Sequence, residues 1–144
     1  MSQRPIREII ENQKPVTAPG GISVAEAARL MKRHGIGAIL VVKGGELKGI
    51  FTERDALLRV MAAGRDPEAT KLSEVMTANP RTIGPDRPFG HALHLMYEGE
   101  FSHVPVVENG RTLGMVSARD ALGPDLQEFI SDLDTRARIG EIMR

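Results

Sequence analysis

The chain has 144 residues, 41% of them hydrophobic and only 3% aromatic, enough to bury an aliphatic core as one compact domain or two small ones sharing a core. Its 19 basic and 19 acidic residues cancel, which argues against the broad basic surface of a nucleic-acid binder, and the absence of cysteine excludes disulfides, thiol catalysis and thiolate metal sites. The longest aliphatic run, residues 38–42, cannot span a bilayer, and "MSQRPIREII" has no apolar h-region, so the expectation is a cytoplasmic protein that makes no membrane contact.

The chain opens with "IREII" at 6–10, whose apolar residues at i, i+3 and i+4 predict a lead-in helical turn. A short extended piece follows Pro15, at Thr17. Val24, Ala27, Ala28 and Met31, with Leu30 widening the face, then give the spacing of an amphipathic helix that ends at Arg33-His34-Gly35. Residues 38–42 predict a buried strand, and "KGGE" supplies the positive-φ residues of a hairpin turn into a second strand over 47–51. At Thr52 the pattern changes to a helix N-cap, with Asp55 three positions on to complete a capping box. Arg54 falls in the first turn, where the helix dipole disfavours a cation by a few tenths of a kcal/mol.

A second lead-in turn, "LSEVM" at 72–76, precedes a repetition of the same unit. Residues 15–57 align with 80–122 at a constant offset of 65, without a gap and with 13 of 43 positions identical, so the chain is a duplication of a β-α-β-β-α unit. The second copy offers Thr82, then Phe89, Ala92, Leu93, Leu95 and Met96 on a helix, a strand over 104–107, the turn "ENGR", and a strand over 113–116. "GMVSARD" at 114–120 restates "GIFTERD" at 49–55, with Ser117, Arg119 and Asp120 in place of Thr52, Arg54 and Asp55. Each copy is too small to bury a good core alone, so the two must pack together.

The tail follows Gly123, which stops the second closing helix, and Pro124, which suits the first turn of a new one. Leu126, Phe129, Ile130 and Leu133 form a stripe at helical spacing that predicts packing in the module's own core, in a dimer interface or on an effector protein. A third lead-in pattern, "IGEIM" at 139–143, precedes no repeat. The domain boundaries that follow are 5–70 and 71–123 for the two repeats and 124–144 for a C-terminal amphipathic helix.

The duplication, the "EVMT" before the second copy, the "HVPVV" at 103–107 and the Gly-x-x-Ser/Thr-x-x-Asp endings together resemble tandem cystathionine-β-synthase (CBS) domains, the Bateman module. The resemblance covers residues 5–122 and implies an α/β (α+β) fold, two β-α-β-β-α repeats packed with pseudo-two-fold symmetry, with the C-terminal helix appended. It also implies two clefts between the repeats that bind adenosine-containing ligands such as AMP, ADP, ATP, NAD(H) or S-adenosylmethionine, and association of two modules as a disc-like homodimer. Position by position, it implies that Asp55 and Asp120 accept ribose hydroxyls and that Thr52 and Ser117 lie near a phosphate, with Arg54 and Arg119 in reach of it. Thr17 and Thr82 would line the base end and Ile50 and Met115 contact adenine. His103 would grip phosphate, with Val104 and Pro105 beside it. The first copy has Ala38 and Leu40 where the second has His103 and Pro105, which predicts two unequal clefts.

Independently of the resemblance, a helix N-terminus favours an anion, a carboxylate suits vicinal hydroxyls, and an arginine in the first turn becomes favourable beside a phosphate. The same residues also read as capping boxes with solvated arginines, and the module as a protein-interaction unit with empty clefts. A metal-dependent hydrolase would have to use His91, His94 and His103, but three-apart histidines without a neighbouring acid cluster read better as a surface or core pair. No Ser-His-Asp order, Walker loop or dinucleotide fingerprint is present, so the expectation is a regulatory module without catalysis, required cofactor or metal.

Overall fold

The computed structural model describes residues 1–142 and divides them into two compact units. One comprises Lys14–Arg81 with Val107–Thr112 and contains the first repeat. The other comprises Met1–Gln13, Thr82–Val106 and the chain from Leu113 on, and contains the second. No helix among the described residues is long and apolar enough to cross a membrane.

In the first-repeat unit, β1 (Thr17–Ala18) pairs in parallel with β2 (Ala38–Lys43), which pairs antiparallel with β3 (Glu46–Thr52). The hairpin turn places Gly44 at φ 61° and Gly45 at φ 82°, the left-handed pair that the "KGGE" signal anticipates. Helix α2 (Val24–His34) connects β1 to β2. Ser23 caps its start by accepting from the Glu26 N–H at 3.1 Å, and Gly35 ends it in the left-handed region at φ 62°. Val24, Ala27 and Met31 are buried as their spacing predicts, whereas Ala28 is exposed on the edge of that face. The core is aliphatic around Phe51, with Ala18, Ile39, Val41 and Val60 among its members.

After β3 the chain forms one α-turn, α3 (Glu53–Asp55), and then a π-helical stretch over Ala56–Met61, closed by bonds such as Ala62 N–H to the Leu57 carbonyl at 2.8 Å. The lead-in turn α4 (Leu72–Val75) buries Leu72 and Val75 in this same core, and β4 (Thr77–Ala78) pairs with β3. The crossing is close: a Cβ on Gly49 would lie 2.4 Å from the Met76 sulfur and 2.9 Å from the Thr77 carbonyl oxygen, so only glycine fits there.

In the second-repeat unit, the lead-in turn α1 (Ile6–Ile10) occupies the corresponding place. Ile6 and Ile10 join Ile83, Phe89, Leu93, Met96, Val104, Val106 and Val116 in one core. Each lead-in turn therefore completes the core of the copy that it does not precede in sequence. A strap over residues 2–7 is bonded along the start of α5 (Phe89–Gly99): Phe89 N–H to the Arg4 carbonyl at 2.7 Å, Gly90 N–H to the Ser2 carbonyl at 2.9 Å and Arg7 N–H to the Pro85 carbonyl at 2.8 Å. A Cβ on Gly114 would come within 2.8 Å of Gln13 Oε1 and 3.1 Å of the Ile10 Cβ, the counterpart of the crossing at Gly49. Gln13 stands 65 residues before Ala78 and does with its side chain what β4 does with backbone. Its Nε2 donates to the Met115 carbonyl at 2.8 Å and its Oε1 accepts the Met115 N–H at 3.1 Å.

Strands β5 (His103–Glu108) and β6 (Arg111–Ser117) are neighbours joined by Asn109 and Gly110, both at positive φ. The counterpart of β1 is reduced to a single parallel bridge, Ile83 to Val106. A 3-10 turn over Ala118–Asp120 ends at Ala121, which is extended, and α6 (Gly123–Ile142) begins anew. The second closing helix is thus one turn long. Continuing it would need an N–H from residue 124, and Pro124 has none. Helix α6 lies on α5 through Phe129, whose ring is 4.9 Å from His94 and 5.7 Å edge-on from Tyr97, and through Arg136 to Glu98 at 3.0 Å. Leu126 and Ile130 of the predicted stripe remain about half exposed, at 46% and 57%. Met143 of the third lead-in pattern lies outside the described residues.

Helix α5 ends with Glu100 at φ 56°, the position that Gly35 fills in the first repeat. A side chain there disfavours the left-handed conformation by about 1 kcal/mol. Glu100→Gly is expected to raise unfolding stability by about that amount in urea titration. An unchanged or lower midpoint would show that the Glu100 side chain makes an offsetting interaction.

Candidate functional site

Strand alternation sorts the candidate residues before any ligand is considered. Register pairs Thr17 with Leu40, Leu40 with Ile50, and Ala38 with Thr52, so Thr17, Ile50 and Thr52 share one face of the first-repeat sheet. Ile39, Val41 and Phe51 point the other way, into the core. In the second repeat Val104, Val106 and Val116 face the core, and His103, Pro105, Met115 and Ser117 alternate with them onto the opposite face. Val104 is fully buried as a member of the core cluster; Pro105 is fully buried too and Ile50 is 6% exposed, although neither belongs to a core cluster. Thr82 is exposed, just before the bridge at Ile83.

Both sheet faces end at a capped helix start. Asp55 is buried and turns back on its own cap: its Oδ2 accepts the Thr52 N–H at 3.0 Å and the Thr52 hydroxyl at 3.1 Å, while the Thr52 Oγ1 accepts the Asp55 N–H at 3.2 Å. Asp55 Oδ1 lies 3.5 Å from Arg59 Nε, an i,i+4 pair visible in the spacing but not anticipated. In the second copy Asp120 Oδ2 accepts the Ser117 N–H at 2.7 Å, and its Oδ1 has no partner among the described residues. Arg54 and Arg119 are exposed and make no hydrogen bond or ion pair among the described residues. Each helix start thus presents an unneutralised guanidinium, a hydroxyl and a carboxylate together. His103 is half-buried on the Ser117 side, and Ala38, its counterpart, is fully buried.

The second start is held by residues that no sequence spacing could reveal. The Asp120 carbonyl, left without an i+4 donor by Pro124, accepts from Arg4 Nη2 at 2.8 Å. The same guanidinium stacks over Phe89 at 5.2 Å and places Nη1 3.2 Å from Asp125 Oδ2. Asp125 is 5% exposed, accepts the Leu122 N–H at 2.9 Å as the cap of α6, and accepts the Ser2 hydroxyl. Burial pushes its carboxyl up, but the Ser2 hydroxyl, the Leu122 N–H and the Arg4 guanidinium outweigh this and hold it below the usual carboxylate range.

Of the histidines weighed as metal ligands, His94 is buried and spends Nε2 on Asp132 at 3.0 Å, while His91 is half-buried. The bond to His94, opposed by desolvation and aided by the N-terminal ammonium, keeps the Asp132 carboxyl below its ordinary value. Among the described residues no group of three or more His, Asp or Glu side chains is arranged to hold a metal ion.

Because the Asp125 carboxyl is depressed in the fold, its contribution to stability is complete above the unfolded carboxylate pKa of about 3.9. It is lost as pH falls through the lower folded value. Asp125→Asn should therefore lower the melting temperature near neutrality and flatten the acid side of the stability–pH profile. A profile parallel to that of the parent chain from pH 2 to pH 7 would contradict the assignment.

A family model for the CBS domain matches residues 6–62 and again residues 72–123. The chain is 39% identical over 110 residues to the meiotically up-regulated gene 70 protein of Schizosaccharomyces pombe, covering 76% of this chain but 15% of that one. It is 34% identical over 116 residues to the mitochondrial CBS domain-containing protein CBSX3 of Arabidopsis thaliana, covering 77% and 56%. With the CBS domain-containing protein YhcV of Bacillus subtilis it shares 36% identity over 115 residues, covering 80% and 81%. The chain thus spans less than two thirds of the yeast and plant relatives. Among solved structures, the CBS domain pair of protein MJ0100, in complex with 5′-methylthioadenosine and S-adenosyl-L-methionine, superposes with a TM-score of 0.73 at 31% identity, covering 81% and 94%. A CBS domain protein from Pyrobaculum aerophilum complexed with AMP has a TM-score of 0.79 over 88% and 98%, a likeness of fold alone at 23% identity.

Proposed function

The chain belongs to the CBS-domain family, carrying the domain twice in tandem, and we propose that it is a regulatory module that senses adenosine-containing ligands. The observation that carries this reading is the pair of arginines, Arg54 and Arg119, that have no partner among the described residues, each close in sequence to a hydroxyl and a carboxylate at equivalent helix starts. A cation in a first helical turn is unfavourable when it faces only water and favourable when it faces a phosphate. The solved CBS domain pair of protein MJ0100, in complex with 5′-methylthioadenosine and S-adenosyl-L-methionine, supports adenosine-containing ligands as the class.

On this reading Asp55 and Asp120 accept ribose hydroxyls. Thr52 with Arg54, and Ser117 with Arg119 and His103, meet the phosphate. Ile50 and Met115 contact adenine, Thr17 and Thr82 line its edge, and Val104 and Pro105 shape the wall through backbone and ring. The two starts differ in readiness. Asp55 spends both oxygens on Thr52 and Arg59, whereas Asp120 keeps Oδ1 open and has His103 nearby in place of Ala38. The Asp120 site is therefore the tighter one. Sensing works by linkage, the ligand stabilising whichever arrangement binds it better, with homodimerisation and an effector protein on α6 as readouts. A cytoplasmic setting accords with the cysteine-free composition.

The half-exposed stripe of Leu122, Leu126 and Ile130 favours a second reading, a protein-interaction module whose helix starts are only capped. Thermal shift with AMP, ADP, ATP, NADH and S-adenosylmethionine separates the two. A ligand at a hundredfold excess over its Kd should add about 2.7 kcal/mol of stability. Asp120→Ala should abolish most of that shift and Asp55→Ala less of it, with both variants folded by circular dichroism. No shift with any of the five at millimolar concentration would falsify nucleotide sensing.

A further inference from the structure

The carbonyl and the carboxylate of Asp120 face different partners. The carboxylate belongs to the proposed ligand site, on which this inference rests, while the carbonyl is held by Arg4 at 2.8 Å. Arg4 reaches from the N-terminal strap and is also the cation beside Asp125, which starts α6. A guanidinium is planar and its donors keep a fixed angle to one another, so its grip on the two acceptors is geometrically linked. Stacking on Phe89 and bonding of the strap along α5 remove its freedom to swing. Its Nε is buried without a partner, a desolvation cost borne to hold the group here.

We propose that Arg4 is a positioning residue that couples occupancy of the Asp120 helix start to the docking of α6. A ligand hydroxyl donating to the open Asp120 Oδ1 leaves the bond to Ser117 in place and rigidifies the turn over Ala118–Asp120. The Asp120 carbonyl is then more firmly fixed, Arg4 is held against Asp125, and the capped first turn of α6 is held with it. Docking continues up the helix through Phe129 on Tyr97, Asp132 on His94 and Arg136 on Glu98. By reciprocity, loosening α6 weakens the ligand.

Amide hydrogen exchange of α6, with α2 in the other unit as internal reference, tests this in two arms. The first needs no ligand. Asp120→Asn should speed exchange at the start of α6 by about fivefold in the parent chain, and have little added effect in Arg4→Gln. Additive effects of the two substitutions would overturn the coupling. The second arm uses AMP as probe. Saturating AMP should slow α6 exchange and shift the ring resonances of Tyr97, the chain's only tyrosine, in the parent chain. In Arg4→Gln it should do neither, although AMP still binds, at lower affinity. Arg4→Lys, which keeps the charge but loses the rigid fork that links the two acceptors, should restore less than half of the parent coupling; full coupling in Arg4→Lys would refute the rigid link. If Arg4→Gln proves unfolded, Asp125→Asn keeps the bond to Asp120 and should uncouple α6 equally. AMP binding with equal slowing in every variant overturns the proposal and leaves nucleotide sensing standing. Absence of AMP binding in the parent chain counts against AMP sensing, while the first arm still decides the role of Arg4.

Discussion

Each repeat depends on a helical turn laid across a glycine of its last strand. A three-stranded sheet with a single helix cannot enclose enough aliphatic surface, and the turns at Ile6–Ile10 and Leu72–Val75 supply the missing residues. Met76 and Thr77, which follow the second turn directly, leave no room for a β-carbon on Gly49, and a β-carbon on Gly114 would press on Ile10 and displace the Gln13 side chain. The strands pinned in this way are β3 and β6, which run directly into Thr52 and Ser117. Packing at the glycine thereby sets where each helix start stands, and hence where its hydroxyl, carboxylate and arginine are presented.

At those starts the local interactions oppose one another. The carboxylates of Asp55 and Asp120 satisfy backbone donors and favour the N-terminal end of the dipole. Arg54 and Arg119 do the reverse, and nothing among the described residues neutralises them. A local conflict repeated in both copies is what a binding site tolerates and a purely structural cap has no use for.

Beyond the starts the copies part ways for a reason located in two residues. Leu57 and Leu122 still correspond, but Gly123-Pro124 then replaces Leu58-Arg59. The first copy continues into a π-helix, with Arg59 paired to Asp55. The second breaks after one turn, because Pro124 cannot donate to the Asp120 carbonyl. Arg4 donates instead, bringing the strap, the second helix start and α6 into one hydrogen-bonded group.

The sequence by itself determined whatever lies within a few residues or at the constant offset of 65. The duplication, the end of α2 at Gly35, both positive-φ hairpin turns, the capping boxes at Thr52 and Ser117, and the new helix at Gly123-Pro124 were all legible. Each depends on dihedral preferences or on i to i+4 bonds that the residue types dictate locally. Tertiary structure decided that α1 closes the core of the distant copy, that Gln13 replaces a strand for Met115, and that Ser2 and Arg4 hold Asp125. It also decided that Val104 is spent on the core and that the stripe of α6 is only half covered. Those partners lie up to 123 residues apart, and the energy that brings them together comes from burying the aliphatic core as a whole. No local pattern of residue types encodes which distant polar groups such a collapse will leave facing one another.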